Sequence, residues 1–171
     1  MGRGLLLVAL AFAGSALPAA ASSPPVSTSF TIVGYEYAFT SKVGSFAGNG
    51  RGDAGGTGYW NATVKHDPLG SDPVYVNGGP FAMTVRGPGS SVDAVVGTFS
   101  RHGGKITTLD RGVNCTNQKY LVASTLKSVS TPTTSNGSGM FEVTLTHYRH
   151  RLLRRCIAYK ARVSGIVRFT Y

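Results

Sequence analysis

Ile157-Ala158-Tyr159-Lys160-Ala161-Arg162-Val163-Ser164-Gly165-Ile166-Val167-Arg168-Phe169-Thr170-Tyr171 is the stretch that decides the fold. Ile157, Tyr159, Ala161, Val163, Gly165, Val167, Phe169 and Tyr171 share one parity. Lys160, Arg162, Ser164, Arg168 and Thr170 take the other, and only Ala158 and Ile166 break the rule. Successive side chains of a strand point to opposite faces, so this segment has one apolar and one solvated face. Helical spacing cannot imitate a period of two held for so long. Gly165 in its middle permits a bulge or bend.

Shorter segments upstream repeat the pattern. Val33, Tyr35, Tyr37 and Phe39 share a parity within 30–39, and Trp60, Ala62 and Val64 share one within 58–65. Further strands are expected at 80–85, 92–100, 105–109, 118–126 and 139–148. Turn clusters such as Asn77-Gly78-Gly79-Pro80 and Arg86-Gly87-Pro88-Gly89 separate them. About eight short alternating strands imply an antiparallel β-barrel, with a β-sandwich as the alternative. Closure is favoured because the long final strand would otherwise expose a pairing-competent edge. Two segments interrupt the rhythm: the glycine-rich 41–56 reads as a loose excursion, and the polar 128–138 as an exposed loop.

Composition agrees with this picture. Glycine occurs 23 times, and helix-favouring Glu only at Glu36 and Glu142. Residues 1–21 read as a signal peptide: Arg3, the apolar run Leu5 to Ala13, then Gly14, Pro18 and Ala19-Ala20-Ala21 as the cleavage site. The run is too short and interrupted to span a bilayer, which takes roughly 20 apolar residues. The chain beyond it is expected to be secreted and to carry no transmembrane segment. It would comprise a flexible leader at 22–29 and one all-β domain at 30–171. In such a compartment Cys115 and Cys156 read as a disulfide. Closing that loop would stabilise the fold by roughly 4 kcal/mol.

Charge is the most unusual local feature. The formal net charge is +10, and His147-Tyr148-Arg149-His150-Arg151-Leu152-Leu153-Arg154-Arg155 concentrates it. Cations this dense repel one another unless they are solvated or opposed by anions. Arg149, Arg151, Arg154 and Arg155 are therefore expected to contact anionic surface polymers or lipid headgroups, without reading a specific nucleic acid. Leu152 and Leu153 at the tip add a membrane-surface contact.

A pocket is the second candidate. Tyr35, Tyr37, Trp60 and Tyr159 supply aromatic area to line a barrel interior, and small eight-stranded barrels either fill or hold one ligand. Glu36 shares parity with Ile32 and Ala38, and His147 with Val143 and Leu145 at the end of a strand. The favoured reading is a rim His147 and a Glu36 paired with a basic side chain; the alternative is that both point inward. Within hydrogen-bonding reach they would form a general acid–base pair. No Gly-x-Ser-x-Gly elbow or His-Glu-x-x-His motif is present, and no cofactor or metal is implied. Gly50-Arg51-Gly52-Asp53-Ala54-Gly55 fits a dinucleotide fingerprint literally, but it opens no helix.

Several segments in order carry a resemblance: Gly58 to His66 (with Trp60-Asn61-Ala62-Thr63-Val64), Gly79-Pro80-Phe81-Ala82-Met83-Thr84, Val96-Gly97-Thr98-Phe99, Cys115-Thr116-Asn117-Gln118, Leu145-Thr146-His147-Tyr148-Arg149 and Cys156-Ile157-Ala158-Tyr159. The chain resembles a family of small secreted bacterial all-β proteins of unassigned function. A weaker similarity, to closed β-barrels of the allene oxide cyclase and dirigent kind, rests on strand number and Gly-Thr-Phe turns. It implies a fold and no activity. The expected role is a non-catalytic binding or envelope-associated one through the basic hairpin. The alternative is a small-molecule-binding or cyclase-like barrel using Glu36 and His147.

Overall fold

A computed structural model describes residues 27–53, 55–71, 73–87, 92–133 and 135–171, so the expected signal peptide lies outside the described residues. Nine strands follow one another: β1 (Ser27–Phe39), β2 (Val43–Gly52), β3 (Thr57–His66), β4 (Val74–Gly78), β5 (Pro80–Arg86), β6 (Val92–Asp110), β7 (Gln118–Ser130), β8 (Gly137–Leu152) and β9 (Arg155–Thr170). A short 3₁₀ turn, Val113–Cys115, precedes β7. All pairings are antiparallel.

The sheet closes on itself. β1 pairs with both β2 and β9, β2 continues to β3, and β6 to β9 form a meander. β4 and β5 share one position between β3 and β6: β4 meets them through His66 and Ile106, β5 through Ala62 and Gly97. The ring therefore has eight positions, filled by nine strands, of which β2 and β4 are not among the expected ones. Gly78 and Gly79 break the shared strand with φ of +127° and +121°. A Cβ on Gly79 would lie 1.8 Å from the Thr63 carbonyl oxygen, so both space and backbone conformation demand glycine there.

The interior is apolar and densely filled. Trp60, Phe81, Phe99, Phe141 and Phe169 are fully buried, with Ile32, Met83, Val122 and Val167 packed among them. Phe141 is the hub, its ring 5.2 Å from Phe99, 6.0 Å from Trp60 and 6.1 Å from Phe81. Charged residues such as Arg51, Lys119, Arg162 and Arg168 lie exposed on the strands. A membrane-spanning barrel has the opposite polarity.

Four expectations need correction. The polar 128–138 is only in part a loop: 128–130 end β7, with Val129 fully buried, and 137–138 open β8. The glycine-rich 41–56 is no loose excursion; most of it is β2, paired on both sides. Its glycines sit against close neighbours: a Cβ at Gly48 would strike the Val33 backbone carbonyl of the paired strand β1 at 2.0 Å, and one at Gly50 the Met83 side chain at 2.6 Å. Gly48 thus lets the β1 backbone approach closely, and Gly50 leaves room for Met83 of β5. β1 starts at Ser27, opposite Thr170, so residues 27–29 belong to the sheet rather than the leader. The segments 92–100 and 105–109 are one strand, β6, interrupted by a register shift between Phe99 and Gly104 with His102 at φ +55°.

Candidate functional site

Two features at one end of the barrel concern function: a polar layer inside the mouth and the hairpin that projects beyond it.

Glu36 approaches the end of β1 on the face that carries Phe30 and Ile32 inward. His147 continues the inward row of Phe141, Val143 and Leu145 on β8. β9 runs between these strands, and directly opposite His147 it offers Ala161. That short side chain lets the two groups meet: His147 Nε2 lies 2.7 Å from Glu36 Oε2. The Glu36 side chain is 4 % exposed and that of His147 10 %. Phe39 and Tyr120 flank the imidazole, with ring centroids 6.0 and 5.6 Å away. His66 joins the layer, its Nδ1 2.7 Å from the Asp67 carbonyl. A carbonyl only accepts, so Nδ1 carries the proton.

Glu36, His66, Tyr120 and His147 border a cavity of about 30 Å³, closed by Phe46, Val64 and Leu145. That is room for about one or two waters. Organic ligands occupy pockets of roughly 300–1,000 Å³. The pair thus satisfies the distance that acid–base work requires, while the space beside it does not admit a substrate.

Burial pushes the Tyr120 hydroxyl above its ordinary range, with Glu36 adding to the shift and Arg149 opposing it. A folded pKa above the unfolded one means stability that is full below about pH 10 and is lost as pH rises through the folded value. Denaturant midpoints should therefore fall above pH 10 in the wild type. Tyr120→Phe should show a shallower decline, and an identical decline would contradict the assignment. Asp67 behaves oppositely: the Asn77 amide and the Tyr75 backbone N–H both donate to it and hold its carboxyl below the usual range, pinning the β3–β4 turn.

The expected aromatic pocket is not assembled. Trp60 is inside, but as core, with Nε1 donating to the carbonyls of Val33 and Asn49 at 3.2 Å each. Tyr35, Tyr37 and Tyr159 are exposed. On β1 the inward row is Phe30, Ile32 and Glu36, which puts the alternate tyrosines on the opposite face. On β9 the register shifts beside Tyr148 and Arg149, so Tyr159 leaves the inward row.

No protein-family model, curated protein or solved structure matches the chain. Function must therefore be argued from the site itself.

The basic stretch forms the β8–β9 hairpin, which turns through Leu153-Arg154 between the paired residues Leu152 and Arg155. Two ties hold its base. Cys156 is disulfide-bonded to Cys115 across a Cα separation of 5.6 Å. Arg149 donates from its guanidinium to the Gly112 carbonyl at 3.2 Å and from its backbone N–H to Asn117 Oδ1 at 3.3 Å. Arg149 is thus half-buried and partly structural, unlike the exposed Arg151, Arg154 and Arg155. Among the described residues the ion pair found is His147–Glu36, and no Lys or Arg reaches a carboxylate. Sequence reasoning missed His66 and Tyr120. Both follow the inward parity of β3 and β7, but only barrel closure brings them to Glu36.

Proposed function

We propose that the protein acts outside the cell as a non-catalytic binding module whose β8–β9 hairpin holds an anionic polymer. The observation that carries this reading is the set of exposed guanidiniums of Arg151, Arg154 and Arg155, unopposed by any carboxylate among the described residues and presented on a braced hairpin. Mutual repulsion of such charges is relieved by a polyanion. Export would follow from the signal peptide expected at 1–21. The alternative, a small-molecule or cyclase-like barrel, has the 2.7 Å Glu36–His147 pair in its favour and the 30 Å³ cavity against it.

Retention on heparin and phosphocellulose tests the proposal. Each cation near an anionic surface is worth about 1 kcal/mol, so Arg151→Gln/Arg154→Gln/Arg155→Gln should weaken binding by roughly 100-fold and elute at low salt. Arg149 is left intact because it ties down the Gly112 loop. Elution of the triple variant at the wild-type salt concentration would overturn the reading.

A further inference from the structure

The tip of the hairpin presents apolar side chains where only cations are needed to hold a soluble polymer. Leu153 is 91 % exposed and Leu152 55 %. Leu153 also has φ +56°, a conformation that L-residues avoid and that glycine or asparagine adopts at turns of this length. A leucine thus stands where the backbone favours a small or polar residue, and its side chain projects into water. Below the tip, Tyr159 lies exposed on β9 with its ring 5.0 Å from that of His150. Ile157, opposite His150, joins Leu152 and Leu153 around an apolar hollow whose rim is Arg154 and Arg155. Ascending the hairpin, the order is leucines at the end, arginines around them, and a tyrosine and Lys160 behind.

That order matches the layers of an anionic bilayer met from outside. Hydrocarbon takes leucine, and the headgroup level takes both arginine and tyrosine. We infer that the β8–β9 hairpin is a membrane-surface anchor that inserts Leu152 and Leu153 between anionic lipid headgroups while Arg151, Arg154 and Arg155 bind their phosphates. The inference rests on the reading of the hairpin as an anion-binding surface and names its partner. Charge complementarity selects an anionic surface over a neutral one, and the leucines select a bilayer over a wholly polar chain. The disulfide at Cys156 keeps the tip projecting, so little ordering opposes insertion.

Co-sedimentation with sucrose-loaded vesicles tests the inference, with heparin elution run in parallel. The wild type should sediment with phosphatidylcholine vesicles containing phosphatidylglycerol and remain in solution with phosphatidylcholine alone. Leu152→Ser/Leu153→Ser should bind the anionic vesicles at least about tenfold more weakly, since two buried leucines are lost, while eluting from heparin as the wild type does. Leu153→Gly, which suits the turn, should keep or raise the melting temperature and still lose vesicle affinity. The indole introduced by Leu153→Trp should shift its emission to the blue on anionic vesicles and be quenched by brominated acyl chains. Wild-type vesicle affinity in both leucine variants, or an unshifted and unquenched indole, would overturn the anchor and leave polyanion binding intact. Equal heparin elution of the wild type and the arginine triple variant would instead remove the reading beneath it.

Discussion

Phe141→Ala is expected to destabilise the barrel by about 3–5 kcal/mol, the cost of deleting a buried aromatic ring without collapse of its surroundings. Phe141 is fully buried and touches the rings of Trp60, Phe81 and Phe99, which come from β3, β5 and β6. Those strands, from β6 two positions away to β3 opposite, are held in a closed sheet, so their rings cannot move in to fill the void. Domain stabilities of about 5–15 kcal/mol leave little margin for such a loss. Urea denaturation should show a much lower midpoint at an unchanged slope. Saturating toluene should recover part of the loss, because an apolar cavity stays dry and takes up an apolar guest. A loss under about 1 kcal/mol would mean that the interior is loosely filled.

His147→Leu is expected to cost about 3–5 kcal/mol, because it strands a buried carboxyl without its partner. Glu36 has no second hydrogen-bond partner among the described residues, and its side chain is almost wholly enclosed. Adding Glu36→Leu to that variant should restore most of the stability, since an apolar pair of similar volume is often neutral in place of a buried ion pair. The double-mutant cycle then gives a large coupling between the two sites. Additive losses would show that the 2.7 Å contact contributes nothing. The same cycle bears on function: if both substitutions leave binding to heparin intact, the pair seals the mouth rather than serving the ligand.

The parts of the fold legible in sequence were those where alternation is uninterrupted. In β9 from Ala161 to Phe169 the inward row is apolar and the outward row is polar or charged except at Ile166, and side-chain chemistry alone orients the strand. β2 was illegible for a physical reason. Glycine reads as a breaker when its role is conformational, but at Gly48 it admits the backbone of the paired strand β1 and at Gly50 the side chain of Met83 from β5. β1 misled through its tyrosines, because aromatic side chains on an outer face look like core until closure shows which side is inside. Glu36 and His147 could be assigned inward directions by parity. Their meeting depended on β9 lying between them and offering Ala161, and no local pattern encodes that. The basic hairpin was legible because its charge density is contiguous, although the structural duty of Arg149 emerged only with the Gly112 carbonyl beside it.

Amide chemical-shift mapping with a heparin octasaccharide is the most direct test that the ligand meets the outside of the barrel and not its interior. The account predicts salt-sensitive shifts confined to residues 150–157 and their immediate neighbours, with Glu36, His66, Tyr120 and His147 silent. Shifts centred on those four residues, with the hairpin unmoved, would contradict it.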